Sequence, residues 1–283
     1  MRKLIYTTIC GDVDDLKEPL KTTPGWDYLC LTDNPNLTSK TWDIEVVKGG
    51  DPKKLSRYLK IKNHFPEYDL SCFIDATFQI KQHSLDKFAL SKREGIWLNS
   101  HPQRQCLYEE AEIVKSKGLD DPNLIDKQIE KYRAEGYPEQ NGLFRCGIMV
   151  RNPKDSKITE MCDLWWDEVE RGSWRDQISF PYACWRAGVT PNPILHGITQ
   201  IYLKQSLHKA NPTTEWLYVQ NSGDPLDPKQ FQHIIDRYDT AHMILMTDGF
   251  LIPKWLKNYI NPKVGRQRFE ELVKILNGVI VRA

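Results

Sequence analysis

Three cations set at helical spacing and one acid placed just after a strand pattern are the residues most able to do chemistry here. In Arg57-Tyr-Leu-Lys60-Ile-Lys-Asn-His64, the guanidinium, ammonium and imidazole recur every three or four residues. On a helix that spacing gathers them on one face. After a Phe-Pro-Glu-Tyr turn, Cys72-Phe73-Ile74 has the pattern of a buried strand, and Asp75 follows it directly. Open α/β sheets bind ligands at the ends of their strands. Cations able to meet phosphates, beside a lone carboxylate able to meet a metal ion, suggest a site for a diphosphate-linked substrate. The alternative is a solvated amphipathic helix followed by an aspartate that starts a turn.

These residues need a sheet to carry them. Lys3 to Ile9 reads as a first strand, Trp26 to Leu31 as a second ending near Asp33, and Trp42 to Val47 as a third. The cationic helix and the strand before Asp75 come next. Longer connections between strands predict a mostly parallel sheet with its loops at one edge. Helices are expected near 84–90, 106–117, 123–135, 158–171 and 178–187, with strands at 95–98 and 142–151. Ser173 and Asp176 are candidate N-caps of the last helix. Glycines bracket the apolar run from Gly142 to Arg151, which marks either close approach of backbone to a ligand or a bulge. The Pro191 to Gly197 stretch reads as irregular and contains a single histidine, His196. Helices are expected again at 229–238 and 262–277, in a tail made basic by Lys254, Lys257, Lys263, Arg266 and Arg268.

Composition narrows the class. The 283 residues are 40% hydrophobic and 27% charged, enough for one large α/β domain or two small ones and unlike a disordered or membrane chain. A net charge of +1 argues against broad affinity for nucleic acid. Seven cysteines without CxxC spacing read as reduced core residues rather than a disulfide framework or zinc site. The N-terminus lacks a signal-peptide pattern and no segment is long and apolar enough to span a bilayer, so a cytoplasmic location is expected.

Tyr28-Leu-Cys-Leu-Thr-Asp33, Arg57 through Asp75, His101-Pro-Gln-Arg104 with Tyr108-Glu-Glu-Ala111, Gly142 to Arg151, and Trp165-Trp166 to Arg175-Asp176-Gln177 stand in an order that resembles one family. It is the glycosyltransferase family of plant mucilage and pollen-tube hexosyltransferase-like proteins, formerly a domain of unknown function. The resemblance covers roughly residues 3 to 200. It implies a GT-A-like, Rossmann-type α/β fold: a mixed, mostly parallel sheet flanked by helices. Residues 1–203 would bind the nucleotide sugar and carry catalysis, and 204–283 would form a helical extension packed on the same domain and able to bind acceptor.

By the same resemblance, Thr7, Thr8 and Asp33 would line the nucleoside pocket. Arg57 and Lys62 would face the diphosphate or donor sugar. Asp75 would open the metal motif, whose third position is Thr77 rather than a second aspartate. Gly147 would line the donor sugar, and Asp176 and Gln177 would be the catalytic residues beside the transferred sugar, Asp176 either accepting the acceptor's proton or holding the donor sugar by its hydroxyls. His196 could join Asp75 in holding Mn²⁺ or Mg²⁺, or the cationic stripe could replace the ion. The implied activity is a hexosyl or pentosyl transfer from a nucleotide-diphosphate sugar, UDP-linked, to a hydroxyl. The acceptor would be a glycan or a small molecule. Two rival readings are a glycosyltransferase acting on a modified base in DNA, as in some viruses, and a nucleotide-sugar-binding protein without catalysis.

Overall fold

A computed structural model describes residues 1–92 and 94–206 in full, apart from the side chain of His196, and the backbone of 215–221 and 241–247. The chain divides into two compact units, Met1–His208 and Lys209–Ala283.

The first unit is built on a seven-stranded sheet. Strands β1 (Lys3–Ile9), β2 (Trp26–Thr32) and β3 (Asp43–Val46) run parallel, and β4 (Leu70–Ile74) lies parallel to β1 on its other side. The order steps outward from β1 to β3, then restarts at β4, so the chain reverses direction across the sheet between β1 and β4. Crevices form at the carboxyl ends of strands at such a reversal. Beyond β4 the sheet turns mixed: β7 (Phe144–Arg151) is antiparallel to both β4 and β6 (Ile96–Ser100), and a short edge strand β8 (Asn192–Ile194) closes it, parallel to β6. The expected α/β architecture with a mixed, mostly parallel sheet is therefore observed.

Burial on both faces explains the continuous apolar runs. Ile5, Cys72 and Ile148 look into one core, while Tyr6, Phe73 and Met149 look into the other, as side-chain alternation along paired strands requires. Helices α1 (Pro52–Lys62), α5 (Ser156–Arg171) and α6 (Asp176–Ala187) cover the second face, with Trp165 completely buried among them. Helices α3 (Leu107–Ser116) and α4 (Pro122–Ala134) share a third cluster with α6. Two of these helices start as their sequences dictate: Asp51 and Asp121 each accept a backbone N–H of the first turn, and a proline follows each at the first helical position. All seven cysteines are buried and unbridged.

Two expectations of local structure change in this unit. Neither Ser173 nor Asp176 caps α6: Arg175 occupies the cap position without a side-chain bond, Asp176 is the first helical residue, and Ser173 Oγ instead accepts the Arg175 N–H at 3.1 Å. The irregular stretch after Pro191 contains β8, then α7 (His196–Tyr202) and β9 (Leu203–Gln205), which pairs antiparallel with β5 (Phe78–Ile80). Pro193 is tolerated because β8 is an edge strand, where one missing N–H leaves no ladder bond unmade on the open side. A short helix α2 (Leu85–Ala89) lies where a helix was expected.

In the second unit, β10 (Glu215–Asn221) and β11 (Ala241–Thr247) pair in parallel, where no strand was expected. The expected helices at 229–238 and 262–277, and the basic tail, lie outside the described residues.

Candidate functional site

At the carboxyl end of β4 the fold opens a cleft of about 330 Å³. Asp75 stands on its floor, one residue past the strand. Because β7 runs antiparallel to β4, with Ile148 opposite Ile74, the start of β7 brings Cys146 and Gly147 alongside Asp75, and Asp75 N–H donates to the Gly147 carbonyl at 2.8 Å. Gly147 is small for a reason. A Cβ there would meet the Phe78 ring at 3.3 Å and the Asp75 Cβ at 3.7 Å. Asp75 Oδ1 in turn accepts both the backbone N–H and the hydroxyl of Thr77 at 3.1 Å, a side-chain turn that fixes the carboxylate.

Helix α1 supplies the cations. Arg57 and Lys60, three residues apart, both line the cleft, as helical spacing predicts. Lys60 is buried and donates to the Cys146 carbonyl at 3.2 Å and to Asp176 at the start of α6. Arg57 Nε lies 3.1 Å from the same Asp176 oxygen, yet without the alignment of a hydrogen bond. Burial alone would raise the Asp176 carboxyl, but the Lys60 ammonium and Arg57 guanidinium, with Arg175 beyond them, hold it below the usual carboxylate range. Asp176 is thus an ionised counter-charge.

The wall opposite contains a cluster of its own. His101 Nδ1 accepts the backbone N–H groups of Gln103 and Arg104 at 3.3 and 3.1 Å, and burial followed by the Arg104 charge lowers its pKa, so the ring is neutral at pH 7. Arg104 pairs with the buried Glu110 of α3 at 2.6 Å. Counting the lining, six cationic side chains (Arg57, Lys60, Arg104, Lys117, Arg145, Arg175) face three carboxylates (Asp75, Glu110, Asp176). The Nε groups of Arg57 and Arg175 are buried without hydrogen-bond partners. The excess of positive charge in the lining suits an anion.

Behind the cleft sits a residue with no warning in the sequence. Arg151 is completely buried and donates to the carbonyls of Ile61 at 3.1 Å and Asn63 at 2.6 Å, at the carboxyl end of α1. The Tyr6 hydroxyl adds a bond to the Lys60 carbonyl at 2.8 Å; burial pushes this phenol up to about 12, so it stays a neutral donor. Cations at a helix carboxyl terminus satisfy its free carbonyls and complement its dipole.

The other sequence candidates divide. Thr77, Gly147, Asp176 and Gln177 line the cleft with Arg57 and Asp75. Thr7, Thr8 and Asp33 lie at the carboxyl ends of β1 and β2 outside it: Thr7 Oγ1 is buried without a partner, Thr8 Oγ1 is 3.0 Å from Ser56 Oγ, and the Asp33 carboxylate takes the Gly11 N–H at 2.9 and 3.1 Å. Lys62 needs correction. Two positions beyond Lys60, it points away from the cleft and pairs with Asp163 of α5, near which His64 also lies at 3.6 Å. Lys60, and not Lys62, lines the cleft. The side chain of His196 lies outside the described residues. No cluster of three or more metal-ligating side chains occurs among the described residues.

The chain belongs to the TOD1/MUCI70 glycosyltransferase-like domain family, whose model matches residues 47–196, just over half its length. This puts it in the class of glycosyltransferase-like domains. The matched span runs from the approach to α1 to the first residue of α7 and holds the Arg57, Lys60, Asp75 and Asp176 constellation, whereas Thr7, Thr8 and Asp33 precede it. Among individual proteins it is similar to the probable hexosyltransferase MUCI70 of Arabidopsis thaliana, at 27% identity over 161 residues, 49% of this chain. That alignment takes in 26% of the relative, so the chain spans about a quarter of that protein.

Proposed function

We propose that the cleft binds the diphosphate of a nucleotide sugar, UDP-linked, in a GT-A-like manner and transfers its sugar to a hydroxyl acceptor. The observation that carries this reading is the excess of three positive charges in the lining. The nucleoside attached to that diphosphate would meet Thr7, Thr8 and Asp33 at the carboxyl ends of the neighbouring strands β1 and β2.

The barrier to glycosyl transfer lies in parting a diphosphate from an anomeric carbon that turns cation-like. Fixed positive groups aimed at the leaving oxygens lower it, because their charge is in place before the reaction begins. Arg57, Lys60 and Arg175 supply that charge here. Asp176 is a poor proton acceptor: a carboxylate paired with this many cations is acidified, and a weak base moves protons slowly. Its task is to hold Lys60 and Arg57 in register. Gln177, whose amide donates to the Phe144 carbonyl at 3.4 Å, borders the space for the transferred sugar. Asp75 suits a divalent ion in the manner of magnesium sites, one carboxylate with substrate phosphates and water completing the shell. Bound there, Mn²⁺ or Mg²⁺ would share the leaving-group charge.

Titration calorimetry with UDP and with uridine tests the reading. UDP should bind more tightly than uridine by about an order of magnitude or more, and the difference should shrink in Arg57→Ala. Equal affinities would overturn it. UDP binding without turnover of any sugar nucleotide, with or without Mn²⁺, would leave the non-catalytic binder.

A further inference from the structure

A second cavity, of about 350 Å³, lies between the start of β7 and the end of α6. Its chemistry is the opposite of the cleft's. Asn141, Phe144, Pro181, Cys184, Trp185 and Thr190 are among its lining, and no lining residue carries a charge. Cys184 is no exception, since burial pushes its thiol far up. One wall is a tryptophan: Trp185 is 37% exposed, while its ring is held against Tyr137 at 5.7 Å, edge to face, and Tyr182 at 6.0 Å. Gly188 ends α6 in the left-handed conformation, and the Val189 N–H returns to the Cys184 carbonyl at 2.8 Å, which folds 188–191 back as a rim.

A fixed, half-open indole in an uncharged cavity edged by a carboxamide and a hydroxyl matches one ligand class well. Pyranose rings offer a C–H face to an aromatic plane and hydroxyls to neutral polar groups, and they bring no charge to neutralise. A phosphate or carboxylate would find no cation among the lining residues, although Lys157 Nζ stands 3.9 Å from where a Cβ on Gly188 would lie. The size fits a sugar or two within the usual range of ligand pockets. The cavity also adjoins the cleft through one residue: Phe144 lines it, and the Phe144 carbonyl is the group that accepts from Gln177, which lines the cleft.

We propose that this cavity is a subsite for an uncharged saccharide, seating the acceptor chain with Trp185 as its platform and leading its end toward Gln177. The assignment of the sugar as acceptor rests on the transferase reading above; the saccharide site itself does not. Saturation-transfer NMR on the full chain tests it, with neutral trisaccharides of β-1,4-linked glucose, xylose, galactose and mannose as probes and trigalacturonate as the charged control. At least one neutral trisaccharide should show saturation transfer. Trp185→Ala should weaken it by about tenfold or more, as loss of an aromatic contact does, while Trp185→Phe retains it and UDP affinity stays unchanged in both variants. Absence of transfer to all four neutral probes, undiminished transfer in Trp185→Ala, or stronger Trp185-dependent binding of trigalacturonate would each overturn the proposal. Saccharide binding that survives in a protein unable to bind UDP would sink the donor reading alone.

Discussion

Asp176→Asn is the most revealing substitution, because Asp176 and Lys60 are both nearly out of reach of water. Their side chains are 7% and 3% exposed. An exposed pair contributes between nothing and about 1 kcal/mol, whereas removing one member of a buried pair strands the other charge and costs about 3–5 kcal/mol. For a domain of this size that corresponds to a fall in Tm of roughly 10 °C. The expected outcome in urea denaturation is therefore a loss of several kcal/mol at neutral pH. The folded-state carboxyl titrates below its unfolded value, so its contribution is complete above the ordinary carboxylate pKa of about 3.9 and disappears as the pH falls through the lower folded-state value. Wild type should lose this increment on acidification and Asp176→Asn should lack it. Stability and binding can then be separated. Lys60→Met with Asp176→Leu removes both charges and restores most of the stability, since apolar replacements of buried pairs are often neutral or better, but UDP affinity should not return. A loss of less than about 1 kcal/mol in Asp176→Asn, or UDP binding by the double variant at wild-type strength, would refute the reasoning.

Further outcomes follow from single contacts. Arg57→Ala should weaken UDP by about 10- to 100-fold in calorimetry, the worth of a charged hydrogen bond, whereas Lys62→Ala, already paired with Asp163, should leave the affinity unchanged. Gly147→Ala should cost about 1–3 kcal/mol of stability and slow donor turnover in a steady-state assay, because the new methyl would stand 3.3 Å from the Phe78 ring and 3.7 Å from the Asp75 Cβ. His101 is held neutral by burial, so its contribution is complete above its ordinary pKa of about 6.5 and is lost as the pH falls toward the depressed value; His101→Gln should flatten thermal stability measured between about pH 5 and pH 6.5.

Local patterns carried much of this architecture. Strand pattern and turn residues were readable from the first strand to α6, although the cap proposed for α6 was not, and Asp75 at a strand end was visible because an acid after an apolar run is a local signal. The phase of α1 was the harder matter. Lys60 and Lys62 are chemically alike and both sit near Arg57 in sequence; what buries the first is Asp176, 116 residues later. Arg104 and Glu110 belong to a loop and a helix whose pairing depends on β6 delivering His101 to the cleft, which no spacing rule states. The segment after Pro191 concealed a strand, a helix and another strand because each is short, from three to seven residues, below the length at which periodicity speaks.

Arg151 has a bearing on how a ligand would be received. By clasping the rear of α1 it denies that helix the freedom to swing, so the front-facing charges are arrayed in advance instead of being gathered by the incoming molecule. Recognition then spends little on ordering the receptor, and a lesion at Arg151 should blunt selectivity between phosphorylated and bare nucleosides from a distance, with no group that meets the ligand altered.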